Sequence, residues 1–502
     1  MSRSDKLALL FSLLAVGAAA LVADRVFERL PHLEDEIAYV WQARAIAGGR
    51  LSVPSPVEPK RFLVPFVVDY NGLRFGKYPP GWPAVLSLGE RLGGREWVNS
   101  LLAGASVWLT YRLGKRLFGE IAGLLAAGLT LTSPFFLINA GSLLAHPLGL
   151  VLSLAFCLAW LDAFGDRSAR GGWHQAIAAG MILGLFALTR PFTALGVALP
   201  FGLHGLILLV RGPALKRLQV VTVAAIALGL GSLIFLWQAA VTGDPLLNPY
   251  TLWWSYDRVG LGPGVGRGAK GHTLRAAWIN TLFSLRAGNH DLFGWPYAGW
   301  LFFLPGLIAI RKNWKTWLSV SVVLSLLAIH FLYWIGAWLF GPRYQFEGLY
   351  SLTLLSAAGI AWLAGWPHSP SQTYQSRFGW RTIRPLGVTF LVGCLLAMNL
   401  IFYLPARLET MHGLYGISRE RLHAFEAASV DALTPAVVIV HAGHWTQYGA
   451  LLDLQDPFLT SSFVFTFGTK VGLEQTLTAS FPDRTLYHYY PDEPERLYST
   501  PR

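Results

Sequence analysis

VVTVAAIALGLGSLIFLWQAAV, Val220 to Val241, runs without a single charged residue. About 20 predominantly apolar residues cross the hydrocarbon core of a bilayer as one helix, so this stretch reads as a membrane span. Outward along the chain the pattern repeats. LALLFSLLAVGAAALVA, Leu7 to Ala23, is a second such run, and similar runs separated by charged loops predict about 11 spans, near 7–23, 97–113, 119–138, 147–164, 175–189, 193–210, 218–241, 297–310, 317–336, 346–364 and 385–404. Arg3 and Lys6 precede the first run as in a signal peptide, but the spans that follow identify it as an uncleaved first span.

Composition agrees. Of the 502 residues, 53% are hydrophobic and only 14% charged, against about 25% charged in soluble domains. The net charge of +12 suggests an anionic partner, either nucleic acid or a membrane surface. Position decides for the membrane. From Ala406 onward 11 acids face 7 Lys and Arg, so the positive excess lies in the short loops between apolar runs. No nucleic-acid motif accompanies it. Cys157 and Cys394 both sit inside apolar runs and read as small core or lipid-facing residues.

Lys and Arg in short loops mark the cytoplasmic side. Alternate loops carry Arg112/Lys115/Arg116, Arg167/Arg170, Arg211/Lys216/Arg217, Arg311/Lys312/Lys315 and Arg377/Arg381/Arg384. A cytoplasmic N-terminus puts all of them inside and three larger segments outside. The first outer segment, 24–96, opens with a helix after Pro31 and closes with KYPPGWPAVLSLGERLGG, an amphipathic helix in the interface. The second, 242–295, is rich in Gly, Trp and Pro. The third is the tail, 406–502. There VVIV (437–440), SFVFTF (462–467) and TLYHYY (485–490) read as strands, while SRERLHAFEAASV and LEQTLTASF read as helices. Their alternation predicts a small α/β domain following a membrane domain over 1–405.

Polar residues gather at the outer ends of the predicted spans. Glu34, Asp35 and Glu36 form an acidic cluster whose members repel one another; it suits a general base or a divalent cation, and equally a solvated helix N-terminus. Arg190 in LTRPFTAL, Arg343 with Tyr344 in GPRYQFEGLY, His146 in SLLAHPLGL and Lys77 in FGKYPPGW each begin or end a span or interfacial helix. Snorkelling or simple capping explains any one of them. Arg190 and Arg343 run against the positive-inside rule, and a lipid phosphate explains both. In the second outer segment, Trp254 offers a packing face, and Asp257, Arg258 and His272 add polarity; an aromatic belt with a flexible loop is the alternative there. GPGVGRG lacks phosphate-loop spacing. His204, His330 and Asn399 lie within spans and read as interhelical hydrogen-bonding groups. HAGHW (441–445) has too few ligands for a zinc site.

Four stretches together carry a family resemblance: DEIAYVWQARAIAGGRL (35–51), KYPPGWP (77–83), TRP at a span end (189–191) and RYQFEGLYSLTLLSAAG (343–359). In order and spacing they resemble the membrane-embedded C-type glycosyltransferases of the family 39 group, which includes protein O-mannosyltransferases and lipid A aminoarabinose transferases. The resemblance covers about residues 1–405. It implies a many-span fold with an outer-face cavity and an inverting transfer of a hexosyl or pentosyl group. The donor would be a polyprenyl-phosphate-linked sugar, and the acceptor a hydroxyl on a glycan, lipid or protein. By the same resemblance Asp35, with Glu36 beside it, would be the catalytic base, and Lys77, Arg190, Arg343, Tyr344 and His146 would hold the donor phosphate. Tyr78, Trp254, Asp257, Arg258 and His272 would line the substrate.

Many relatives carry a second acid in the loop between spans three and four. Here that loop reads NAGSLLAHP (139–147). The expectation is therefore a metal-independent enzyme, with a divalent cation shared by Glu36 and His146 as the alternative. A multi-pass inner-membrane location follows, with the site and tail on the periplasmic or extracellular side. A transporter or flippase of a lipid-linked sugar would need polar residues through the midplane; a non-catalytic scaffold would leave Asp35 without a task.

Overall fold

The computed structural model describes residues 1–165, 172–311, 313–367, 380–426, 430–468 and 472–502. Arg167, Arg170, Lys312 and Arg377, the side chain of Arg381 and residues 427–429 of the tail lie outside the described residues.

The chain opens with α1 (Arg3–Arg25), whose Ser2 and Asp5 form a capping box. Its buried stripe of Ala8, Ser12, Ala15, Ala19, Val22 and Ala23 is small, which lets a neighbouring helix approach closely. α2 (Glu34–Ala47) follows. A three-stranded antiparallel sheet then forms from β1 (Val53–Pro54), β2 (Val67–Tyr70) and β3 (Leu73–Gly76), in the order β1-β3-β2. Asn71 and Gly72 both have positive φ, 51° and 76°, and join β2 to β3. The two-residue Asn-Gly turn matches the right-handed twist of the hairpin. α3 (Gly81–Arg91) exposes Leu88 beside a buried face.

The helical bundle continues with α4 (Glu96–Phe118), α5 (Glu120–Leu131), α6 (Pro134–Gly141), α7 (His146–Phe164), α8 (Trp173–Thr189), α9 (Pro191–Arg211), α10 (Ala214–Gly231) and α11 (Leu233–Thr242). In the second outer segment stand α12 (Pro249–Trp253) and α13 (Leu274–Asp291); then come α14 (Phe303–Ile310), α15 (Trp314–His330), α16 (Leu349–Ala364) and α17 (Trp380–Met398). Among the described residues, six helices are long and apolar enough to cross a membrane, or seven if the bent pair α5–α6 is one span. These mark the chain as a membrane protein.

Six of the eleven expected spans, 7–23, 147–164, 193–210, 218–241, 346–364 and 385–404, coincide with those six helices. The run at 97–113 lies in α4, which is not among them, and 175–189 and 317–336 fall on the 17-residue α8 and α15. The other two differ more. The run at 119–138 breaks at Thr132–Ser133, where α5 and α6 meet at 58°. Ser133 caps α6 by accepting from the Phe136 amide, and Asn399 donates to the Thr132 carbonyl at 2.7 Å. The run at 297–310 forms only the 8-residue α14, about 12 Å long and well short of a bilayer core. The second outer segment is also more ordered than its Gly-rich composition suggests. α13 occupies a third of it and exposes Leu274, Trp278 and Phe283.

α16 is the central helix. In Arg343–Ala364, 89% of the most apolar 18-residue stretch is buried, whereas the peripheral spans Ala214–Thr242 and Ile383–Glu426 bury 17% and 11% of theirs. Polar side chains on α16 are bonded to neighbours: Ser351 donates to the Ser319 carbonyl at 2.8 Å, and the Tyr350 hydroxyl accepts from Ser153 at 3.2 Å. Of the intramembrane groups, His204 accepts from Trp160 across helices at 3.1 Å, while His330 bonds within its own helix to the Leu326 carbonyl.

In the tail, β4 (Ala436–Val440), β5 (Phe463–Phe467), β6 (Thr485–Tyr489) and β7 (Leu497–Tyr498) form one sheet in the order β5-β4-β6-β7, with β4 parallel to β5 and β6. Buried on both faces, β4 and β5 read as continuous apolar runs. Over the described part of the expected helix SRERLHAFEAASV (418–430), a 3-10 turn, Arg419–Leu422, precedes the α-helical residues His423–Glu426. Asp453 docks this tail onto the bundle's rim: it pairs with Arg44 of α2 at 3.2 Å and Arg95 at 2.7 Å, and both arginines also pair with Glu90 of α3.

Candidate active site

Two neighbouring carboxylates in the first turn of α2 point in different directions. Successive helical residues are about 100° apart, so one can face inward while the other faces the bundle's rim. Glu36 is the inward one. Its Oε2 accepts the amides of His32 and Leu33, both at 2.9 Å, and its Oε1 accepts the Leu143 amide at 2.7 Å. Burial pushes the Glu36 carboxyl up to about 7, against the pull of those amides. The clamp fixes the loop NAGSLLAHP, which Trp82 and Asn99 also hold through the carbonyls of Leu143, Ser142 and Leu144. In this chain, then, that loop is tied by an acid from α2 rather than supplying one.

Asp35 faces the rim. Its Oδ2 pairs with Nη1 of Arg343 at 3.2 Å, and its Oδ1 accepts a hydrogen bond from the Tyr78 hydroxyl. The Asp35 side chain is 23% exposed and Arg343 19%, so both are reachable yet largely shielded from water. Burial pushes the Asp35 carboxyl up, but Arg343, the Tyr78 hydroxyl and the Lys77 charge outweigh it and hold it below the ordinary carboxylate range. Burial, and then the Asp35 charge, drive the Tyr78 phenol well above its ordinary range, which keeps it a donor. Gln42, one helical stretch along α2, donates to the Tyr78 carbonyl at 2.8 Å and fixes that residue. Burial also raises Glu34, with Asp35 next in effect.

Lys77 follows β3 and is buried. Its Nζ lies 3.2 Å from Asp257 Oδ2 and 3.6 Å above the Phe66 ring. Phe66 adopts a positive φ of 60°, a strained conformation for a bulky residue. Burial lowers the Lys77 pKa, with Asp257 opposing. Asp257 also accepts from the Tyr333 hydroxyl and the Trp334 indole, both at 3.1 Å. Trp254 packs its ring 5.3 Å from Phe66 and stacks on Tyr256 at 5.9 Å. Tyr344 stacks on His330 at 5.1 Å and lies under the Arg343 guanidinium.

Arg190 stands at the break between α8 and α9, where Pro191 ends the first helix. Its Nε is 3.0 Å from Glu347 Oε1, and His146 reaches the same oxygen at 3.1 Å. His146 is buried behind that carboxylate. The Asp35, Arg190 and Arg343 charges all bear on the Tyr39 phenol: burial and Asp35 raise it, while both arginines pull against them. Asp35, Tyr78, Lys77, Asp257, Arg343, Tyr344 and Arg190 therefore form one cluster of paired charges among aromatic rings, with Asp35, Arg343 and Arg190 partly exposed. Arg258 is exposed with its Nε on the Ser255 carbonyl, and His272 is buried with its ring on the Phe331 carbonyl; among the described residues neither makes a polar side-chain contact with Asp35.

Sequence reasoning did not single out Glu347, Tyr39, Tyr250, Tyr333 or Trp334. Glu347 left a signal, since an acid inside the apolar run from Gln345 to Ala364 has to be paired or functional. The aromatic residues left none, because Tyr and Trp at span ends are ordinary belt residues.

For a shared cation, the acids do not converge. Asp35 faces Tyr78 and Arg343, Glu36 is enclosed by backbone amides, and His146 is turned to Glu347. Among the described residues no group of three or more His, Cys, Asp or Glu side chains could hold a metal ion.

No protein-family model matches the sequence, and no curated protein does. Solved structures do match in fold. ArnT from Cupriavidus metallidurans in the apo state superposes with a TM-score of 0.61 at 12% identity, over 97% of this chain and 90% of that one. The same protein bound to undecaprenyl phosphate gives 0.57 at 13% identity, over 95% and 89%. The Archaeoglobus fulgidus oligosaccharyltransferase in its apo form gives 0.51 at 11% identity, over 90% of this chain and 64% of that one. This chain thus has the GT-C fold.

Glu36 and Asp35 should separate on substitution. Glu36→Ala leaves three amides without their acceptor and is expected to lower stability by about 3 kcal/mol or more. Asp35→Asn should cost clearly less, because the amide oxygen still accepts from Tyr78 and the partly exposed Arg343 left without its charge partner can turn to water. Thermal unfolding in detergent compares them; equal losses would contradict the division of roles.

Proposed function

We propose that the chain is an inverting glycosyltransferase that moves a sugar from a polyprenyl-phosphate donor to an acceptor hydroxyl on the non-cytoplasmic face of the membrane. The observation that carries this reading is the Asp35 carboxylate, held between Tyr78 and Arg343 in a cluster that also contains Lys77 and Arg190. A carboxylate flanked by cations suits a reaction that needs a base at one end of the reacting bond and an anion stabiliser at the other. The ArnT structure with undecaprenyl phosphate, a protein of the same fold, supports a lipid phosphate as the anion.

In this mechanism Asp35 accepts the proton of the acceptor hydroxyl as its oxygen bonds to the anomeric carbon. The bond from that carbon to the phosphate oxygen breaks, and the lipid phosphate leaves with the electron pair. Arg343 and Arg190 stabilise the charge that grows on the phosphate, with Lys77 turning from Asp257 to join them. Displacement from the opposite face inverts the anomeric centre. Tyr78 holds Asp35 in its ionised state, and the aromatic walls offer faces to the sugar. Glu36 and His146 support the site from behind, through Leu143 and Glu347. The acids and His146 do not fit a shared cation, so no step is assigned to a metal.

The arrangement of charge also supports the sidedness. Asp35, Arg190 and Arg343 lie at one end of the bundle, while Lys115 pairs with Asp5 and Glu120, and Arg116 with Asp162, at the other end of α1 and α4. Under the positive-inside rule the second end is cytoplasmic. Residues 1–405 then form the membrane catalytic domain, and 406–502 an outer domain docked over α2. A flippase would carry its substrate groups near the midplane rather than at one rim.

Asp35→Asn is expected to abolish sugar transfer from a polyprenyl-phosphate donor while the protein remains folded; near-parental activity in that variant would remove Asp35 as the base. Tyr78→Phe should move the acid limb of the kcat/KM profile to higher pH. The sign follows from the hydrogen bond that lowers the Asp35 pKa: without it the carboxylate protonates earlier as pH falls, and activity is lost sooner. An unmoved limb would uncouple Tyr78 from the base. Treatment with a chelator should leave the rate unchanged, and restoration of a lost rate by added divalent ion would establish a metal after all.

A further inference from the structure

Glu347 is fully buried among apolar side chains near the entry of α16, a place where an ionisable group is costly unless it has a task. Its Oε1 forms an ion pair with Arg190 Nε at 3.0 Å and meets His146 Nδ1 at 3.1 Å. Helix α7 makes room for it: a Cβ on Gly149 would stand 2.7 Å from Glu347 Cγ and 2.8 Å from Oε1. Thr193 Oγ1 also accepts from Arg190 Nε, at 3.3 Å. The contacts of Arg190 therefore gather on its Nε side. Among the described residues its Nη1 and Nη2 make no hydrogen bond, and the side chain as a whole is 15% exposed where that of Glu347 is not exposed at all. An arginine held by its inner nitrogen presents the outer pair as a rigid fork, the shape that grips a phosphate through two oxygens.

Building on the donor-phosphate reading above, we propose that Glu347 is a positioning residue for Arg190, pinning the guanidinium from behind so that its Nη fork faces the cluster around Asp35 and takes the phosphate of the lipid donor. His146 completes the brace by holding the same carboxylate oxygen. Glu347 touches neither sugar nor phosphate; its effect passes through Arg190.

The full-length protein in detergent is titrated with undecaprenyl phosphate as parent, Glu347→Gln, Arg190→Ala and the double variant. Either single substitution is expected to weaken binding about 10-fold, and Glu347→Gln should add almost nothing once Arg190 is gone. Glu347→Asp, which keeps the charge, should recover part of the loss. Equal effects of Glu347→Gln with and without Arg190, or unchanged affinity in the single variant, would falsify the positioning role and leave the donor reading standing. Failure of the parent to bind the lipid would overturn the donor reading itself. Should Glu347→Gln not fold, Gly149→Ala takes its place: it displaces the carboxylate without removing it, and the same dependence on Arg190 is expected.

Discussion

The Asp35–Arg343 pair joins two positions 308 residues apart in the chain, and the rim of the bundle depends on it and its neighbours. Each cation there is matched by a carboxylate from a distant segment: Arg343 by Asp35, Lys77 by Asp257, Arg190 by Glu347. In such shielded surroundings, removal of one partner strands the other. The first outer segment, the second outer segment and the ends of α8 and α16 are thereby held to a common arrangement. The charges of this cluster are thereby fixed in advance, which under the proposed function is the condition for stabilising developing charge without reorganisation.

The neighbouring carboxylates of α2 show how one helix turn supports two tasks. Glu36 is spent on architecture, tying the first turn of its own helix to the loop before α7. That clamp sets the angle at which Asp35 enters the cluster. The tail reaches the same helix from outside, through Asp453 and Arg44. Helix α2 is thus gripped at its start by the membrane bundle and near its end by the C-terminal tail, with Asp35 in its first turn.

Much of this was legible beforehand. Long uncharged runs named the spans, because burial in hydrocarbon is a sum over local residues that needs no knowledge of partners. The strands of the tail were legible for a similar reason, as short apolar runs bounded by turn residues. The exceptions are instructive. The run at 119–138 carries no charge after Glu120, yet Ser133 and Pro134 restart a helix inside it, and a hydropathy window does not register the change of direction. The Asn71–Gly72 hairpin carried a recognisable turn signal that the reading of the first outer segment passed over.

For the site, the sequence by itself determined which residues were out of place: acids and cations at the ends of apolar helices, where solvation alone would not keep them. It did not determine their partners. Asp35 and Glu36 look alike in sequence, and only the tertiary structure gave one to backbone amides and the other to Tyr78 and Arg343. Glu347 stood unmarked until Arg190 and His146 were brought to it across the fold. The physical reason is that hydropathy is a property of a segment, whereas an ion pair is a property of two side chains within about 4 Å of each other, and that distance exists only once the helices have packed.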